Sequence, residues 1–114
     1  MKTLFIFLLF TATASAETVC LRYGPCPLDL SAFVCTDTSR SSFVRRVCYH
    51  AQKKFVAIKL NEAWYPYCEV PPPAVEALVN APSVGRHYNA EFRSRRDGTY
   101  GPFDCRHFPI PAFP

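Results

Sequence analysis

The sequence predicts an α+β fold: a small three-stranded antiparallel sheet, a meander, with two short helices packed on it and the whole stapled by disulfides. Three observations carry that prediction. Between Ser42 and Val70, apolar and polar residues alternate in short runs separated by turn residues, which is the period-two pattern of half-buried strands. Between Ala74 and Phe92 the apolar residues recur every three or four positions instead, as they do along one face of a helix. Finally, six cysteines, Cys20, Cys26, Cys35, Cys48, Cys68 and Cys105, all follow an opening that reads as a secretory signal, the setting in which cysteines pair.

Met1-Lys2-Thr3 gives that opening its positive start, Leu4 to Phe10 its apolar stretch, and Ala14-Ser15-Ala16 the small residues that signal peptidase reads. Residues 1–16 are therefore expected to be a signal peptide, with Glu17 beginning the mature chain. The apolar stretch is short of the roughly 20 residues that a membrane-spanning helix needs. The expected product is secreted or periplasmic, with no stable membrane insertion after cleavage. Glu17-Thr18-Val19 ahead of Cys20 is not the small apolar run of a lipoprotein signal. From Glu17 onward there is one small domain's worth of chain, whose net stability is a remainder of about 5–15 kcal/mol. Bridges worth about 2–4 kcal/mol each matter at that margin. The cysteine spacings contain no Cys-x-x-Cys and no histidine placed for zinc, so they read as a disulfide framework, and neither a metal nor a cofactor is expected. Sequence alone does not choose among the pairings; only the Cys20/Cys26 loop is short enough to close locally.

Residues 17–40 form a cysteine-containing N-terminal arm. Gly24-Pro25-Cys26-Pro27 blocks regular structure there, and Leu28 to Val34 is compatible with a turn or two of helix. Ser42 to His50 is rich in β-branched and aromatic residues and alternates imperfectly, giving the first strand. Ala51 to Lys54 is a polar connection. Val56, Ile58 and Leu60 mark the second strand, Asn61-Glu62-Ala63 a hairpin turn, and Trp64 to Val70 the third strand. On that third strand Tyr65 and Tyr67 share one face, while Trp64, Pro66 and Cys68 share the other. Pro66 cannot donate to a ladder, so the strand belongs at an edge.

Pro71-Pro72-Pro73 stops the sheet and starts a helix in which Val75, Leu78 and Val79 face the core. Asn80-Ala81-Pro82 ends it. Ser83 caps a second helix, along which Val84, Tyr88 and Phe92 recur every four residues and which Arg86, Arg93, Arg95 and Arg96 decorate. Residues 97–114 make an irregular, proline-rich tail.

Taken together, Ser41-Ser42-x-Val44-x-x-Val47-x-Tyr49, Tyr65-Pro66-Tyr67, Val70-Pro71 and Ser83-Val84-Gly85-Arg86-x-Tyr88-Asn89-x-x-Phe92-Arg93 resemble the KTSC domain, named after the C-terminal extension of some lysyl-tRNA synthetases. The resemblance places such a domain over residues 41–96. It implies a short antiparallel sheet with helical elements, in a family without an established activity for which RNA binding has been offered. The chain departs from the family's pattern at Cys48, where a small residue usually precedes the first-strand tyrosine, and at Cys68 after Tyr-x-Tyr. Both changes suit an exported, oxidised variant, which would not meet tRNA.

The chain is mildly basic, with a formal net charge of +4. Arg86, Arg93, Arg95 and Arg96 stand against Glu91 alone in their segment, and the guanidinium fork suits phosphate, sulfate or carboxylate. Tyr49, Tyr65 and Tyr67 are candidates for a stacking platform beside those arginines, although tyrosines of this kind also serve as packing. His50, His87 and His107 are dispersed, and no nucleophile elbow, phosphate loop or His-Glu-x-x-His occurs. The expectation is thus a non-catalytic binding module for an anionic polymer, headgroup or nucleic acid. The alternative is an envelope or extracellular protein-interaction or structural protein that meets its partner through Trp64, the Phe-rich tail or the arm.

Overall fold

The computed structural model describes residues 17–95 and 97–113. The signal-peptide expectation for residues 1–16 and the candidate residue Arg96 lie outside the described residues. The elements in chain order are β1 (Thr18–Val19), β2 (Leu28–Asp29), β3 (Val34–Asp37), β4 (Val44–His50), β5 (Phe55–Leu60), β6 (Ala63–Tyr67), α1 (Pro72–Val79), α2 (Val84–Glu91) and a 3-10 turn at Cys105–His107.

β3, β4, β5 and β6 form one antiparallel meander in that order, and β1 pairs with β2 in a separate two-stranded ribbon. The α+β class stands, but the sheet has four strands where the sequence predicted three. The additional strand comes from the arm. Val34-Cys35-Thr36-Asp37 is too short and too polar to announce itself by alternation, and it is held by its neighbour: Cys35 lies directly opposite Cys48 of β4 and is bridged to it. Leu28–Asp29, in the stretch compatible with helix, is likewise extended because Thr18–Val19 pairs with it. The third predicted strand ends at Tyr67 and not at Val70.

A register shift between Val44 and Arg46 explains the imperfect alternation of β4. This bulge gives the strand one extra residue, so Val44 and Val47 reach the same side of the sheet. The β5–β6 turn is tight, and Asn61 adopts the left-handed conformation, φ 53°, that asparagine tolerates. β6 is an edge strand, as Pro66 required. Its outer side is nevertheless engaged at both ends: Arg22 N–H donates to the Trp64 carbonyl (2.8 Å) and Cys68 N–H to the Phe103 carbonyl (2.8 Å).

Both sides of the sheet are covered. Val44, Val47, Val56, Ile58 and Tyr67 pack against Val75 and Leu78 of α1, Tyr88 of α2 and Phe92, which caps the end of α2. Cys48, Phe55, Ala57, Trp64 and Cys68 pack against Leu21, Leu28, Leu30, Phe33 and Cys105, which the arm and tail supply. The central strand β5 is consequently buried on both faces from Phe55 to Ile58.

The helices follow their signals. Pro71 precedes α1, with Pro72 and Pro73 in its first turn, where a missing N–H costs nothing. Ser83 Oγ accepts the Arg86 N–H at 3.3 Å and caps α2. Gly85 is required by proximity: a Cβ there would stand 2.8 Å from the Phe43 ring, so only glycine lets α2 settle on the entry to β4. Arg86 belongs to α2, but the helix ends at Glu91, and Arg93 and Arg95 sit on the irregular chain beyond it. All six cysteines are bridged, Cys20–Cys26, Cys35–Cys48 and Cys68–Cys105, so none is available as a free thiol. No helix among the described residues is long and apolar enough to cross a membrane.

Candidate functional site

Two grooves are candidates for a functional site. The larger, of about 630 Å³, runs along the exposed side of β6 between the arm, α2 and the tail, and brings together Tyr23, Tyr65, Tyr67, Tyr88, Arg93 and Arg106. β6 places Tyr65 and Tyr67 on the face that α2 covers. Tyr67 is buried and Tyr65 half-buried. The Tyr67 and Tyr88 hydroxyls share a 2.6 Å hydrogen bond, and the Tyr67 ring stands edge-on to Tyr88 and Phe92. Burial pushes both phenols up from their ordinary range, so both remain protonated at neutral pH. The pair therefore serves as a neutral floor.

The charges above that floor are unequal. Asp104 Oδ1 accepts Arg106 Nε–H (3.0 Å) and the Arg106 backbone N–H (2.9 Å), while Oδ2 accepts Arg106 Nη2–H (2.7 Å) and the Ser94 hydroxyl (2.8 Å). These bonds, the Arg106 side chain's first, hold its carboxyl well below the usual carboxylate range. Arg106 also lies 3.5 Å over the Tyr100 ring. Its charge is thus neutralised within the protein. Arg93 is exposed, and its guanidinium has no ion-pair partner among the described residues.

Tyr23 forms one rim of the groove. It is 86% exposed and takes a left-handed backbone, φ 60°, which a bulky side chain rarely adopts. The Cys20–Cys26 bridge closes the loop that presents it, and the neighbouring Arg22 guanidinium lies 6.0 Å from the Tyr65 ring centre.

Of the residues singled out from sequence, the structure brings Tyr65, Tyr67 and Arg93 into this groove. Tyr49 is elsewhere: its hydroxyl donates to the Val70 carbonyl at 2.7 Å, tying β4 to the chain that enters α1. Arg95 lines neither groove, and Arg86 lines the second. Sequence reading assigned Tyr88 to packing and passed over Tyr23, Ser94, Asp104 and Arg106. Tyr23 carried a signal, an aromatic beside Arg22 inside a short cysteine loop; the others were placed by the Cys68–Cys105 bridge, which no pattern announces. Of the apolar groups considered for a protein partner, Trp64 is buried and Phe108 and Phe113 pack on the core, whereas Tyr23 and Val34 of the arm and Ile110 of the tail are exposed.

The second groove, of about 440 Å³, opens where the turn before β4 meets the start of α2, and is lined by Arg40, Ser41, Ser42, Ser83, Arg86 and Asn89 over a base of Phe43 and Gly85. It gathers the Ser-Ser and Ser-Val-Gly-Arg segments, far apart in sequence, at one place.

The meander is backed by two short helices, and the tyrosine pair of β6 and the Ser83–Asn89 segment lie at its two surface depressions. The KTSC domain model matches residues 40–95, and the chain belongs to the KTSC domain family. A protein of Stutzerimonas stutzeri described as uncharacterized is 36% identical over 55 residues, covering 47% of this chain and 78% of that one. No solved structure matches the chain.

Proposed function

We propose that this KTSC protein is an exported, non-catalytic binding module whose larger groove takes an anionic ligand, its ring stacked on tyrosine and its charge met by Arg93. One observation carries the reading. Of the two arginines in the groove, Arg106 is neutralised by Asp104, while Arg93 has no ion-pair partner among the described residues and lines the groove together with half-buried Tyr65 and exposed Tyr23. Aromatic faces beside a free cation suit a sugar or base bearing a negative group. Three disulfides are compatible with an extracellular or periplasmic setting, which supports export. The groove also offers little to a reaction: the Asp104 carboxylate is fully bonded, and the Tyr67 and Tyr88 hydroxyls are bonded to each other.

Titration of the bridged protein with a short single-stranded oligonucleotide and a sulfated oligosaccharide, over a range of salt, tests the proposal. Binding is expected to weaken with salt. Arg93→Ala should flatten the logarithmic salt dependence by about 0.7–0.9, one phosphate contact's worth, and Tyr65→Ala should cost about 1–3 kcal/mol at every salt concentration. Binding by Arg93→Ala with an unchanged slope would overturn the assignment.

A further inference from the structure

The smaller groove has a polarity that folding does not require. Arg40 and Arg86 are both exposed, and neither guanidinium has an ion-pair partner among the described residues. The lining includes no carboxylate among the described residues. Two of its three hydroxyls already have an acceptor role, Ser41 Oγ toward the Phe43 and Val44 N–H groups (3.4 and 3.1 Å) and Ser83 Oγ toward Arg86 N–H. Each of those hydroxyls keeps its proton to donate. Ser42 and Asn89, both exposed, add further donors. Two cations without an ion-pair partner and several donors thus line one depression, with no carboxylate among the described residues that line it.

We propose that this groove is a second ligand site, specific for a tetrahedral oxyanion, a phosphate or sulfate group carried on a small molecule. The shape of the donor set selects that chemistry. A planar carboxylate is satisfied by one guanidinium bound through both oxygens, whereas two guanidiniums with hydroxyl and amide donors around them match an oxyanion with acceptors in three dimensions. The volume, about 440 Å³, leaves room for the group that carries the anion. Gly85 keeps the base open, since its missing side chain would otherwise press on Phe43 and Ser41. Arg93 and the tyrosines of the larger groove take no part, so the site stands whether or not that groove binds a ligand.

The test uses the protein with its bridges intact and three probes: glycerol phosphate, inorganic sulfate and acetate. The signals followed by NMR are the amides of Ser42, Gly85 and Asn89 and the Nε–H groups of Arg40 and Arg86. Glycerol phosphate or sulfate should shift these saturably and more tightly than acetate. Phosphate ester binding should strengthen as pH rises through about 6, where the second proton leaves, while sulfate binding stays flat; whichever probe binds tighter at pH 7 identifies the oxyanion. Arg40→Ala/Arg86→Ala should weaken binding by roughly tenfold or more, equivalent to about 1.4 kcal/mol per factor of ten, while Arg93→Ala leaves it unchanged. Arg86→Lys, which keeps the charge but loses the fork, should fall between. A preserved amide spectrum confirms that the variants are folded. No saturable shift with either oxyanion, acetate binding as tightly, or undiminished binding by the double variant would each overturn the site.

Discussion

On one side of the sheet, α1, α2 and the residue capping α2 lay Val75, Leu78, Tyr88 and Phe92 over Val47, Val56, Ile58 and Tyr67; on the other, chain with little regular structure lays Leu21, Leu28, Leu30 and Phe33 over Phe55, Ala57 and Trp64. The two covers are fastened differently. A helix satisfies its own backbone and needs only an apolar stripe to dock. The arm and tail have short ribbons and turns but no continuous ladder of their own, and must order many residues for each apolar contact, at about 1–2 kcal/mol of backbone entropy per residue. The bridges sit accordingly. Cys35–Cys48 ties the arm to β4 and Cys68–Cys105 ties the tail to the end of β6, while no cysteine lies in either helix. The lesson is that the irregular cover depends on covalent closure and the helical cover on packing.

The largest expected effect probes the packed side. Phe92 is 1% exposed and touches Tyr67, Tyr88 and Phe103. Phe92→Ala should cost about 3–5 kcal/mol in urea unfolding. A cost below about 1 kcal/mol would mean that the helical face does not depend on this packing.

Next come the bridges, whose closed loops span separations of 37, 13 and 6 residues. Loop-closure entropy gives about 4, 3 and 2 kcal/mol for Cys68–Cys105, Cys35–Cys48 and Cys20–Cys26 respectively. Paired Cys→Ala variants should lose stability in that order. Hydrogen exchange should sharpen the contrast: without Cys68–Cys105, amides of the tail and of the β6 edge should exchange faster, while those of α1 keep their protection. Uniform loss of protection across α1 and the tail would erase the distinction between the two covers. A smaller effect, about 1–3 kcal/mol for overpacking, is expected for Gly85→Ala, which forces a Cβ onto the Phe43 ring and separates α2 from β4 without touching the arm.

The same division governs what could be read from sequence. Periodicity marked β4, β5, β6 and both helices, because there the side-chain pattern itself generates the structure; the facing of Tyr65 and Tyr67 away from Trp64 and Cys68, the edge position of Pro66 and the Ser83 cap were all legible. β1, β2 and β3 were not, since strands of two to four residues exist only through their partners. The larger groove was half legible for the same reason. Tyr65, Tyr67 and Arg93 were visible on or beside patterned elements, whereas Asp104 and Arg106 are brought to them by a bridge closing across 37 residues. Arg93 and Arg106 look alike in sequence, and only the structure shows that one is neutralised.

That neutralised pair provides the smallest and most diagnostic test, because it belongs to the tail cover yet is polar. Asp104 is mostly shielded and Arg106 largely exposed, with 15% and 58% of their side-chain surfaces accessible, so solvent screens the pair and its contribution is small. The sign follows from the depressed carboxyl. A carboxylate whose folded pKa lies below its unfolded value of about 3.9 stabilises the protein fully above that value, and the contribution is lost as pH falls through the folded pKa. Asp104→Asn should therefore be less stable than the native chain at pH 7, with the gap narrowing steadily below about pH 4 and shrinking in high salt. The same substitution frees Arg106, so the larger groove gains a second cation without an ion-pair partner among the described residues, and the proposed anionic ligand should bind more tightly with a steeper salt dependence. A stability gap that persists in acid would show that Asp104 works by shape and not by charge, and an unchanged salt dependence would show that Arg106 does not reach the ligand.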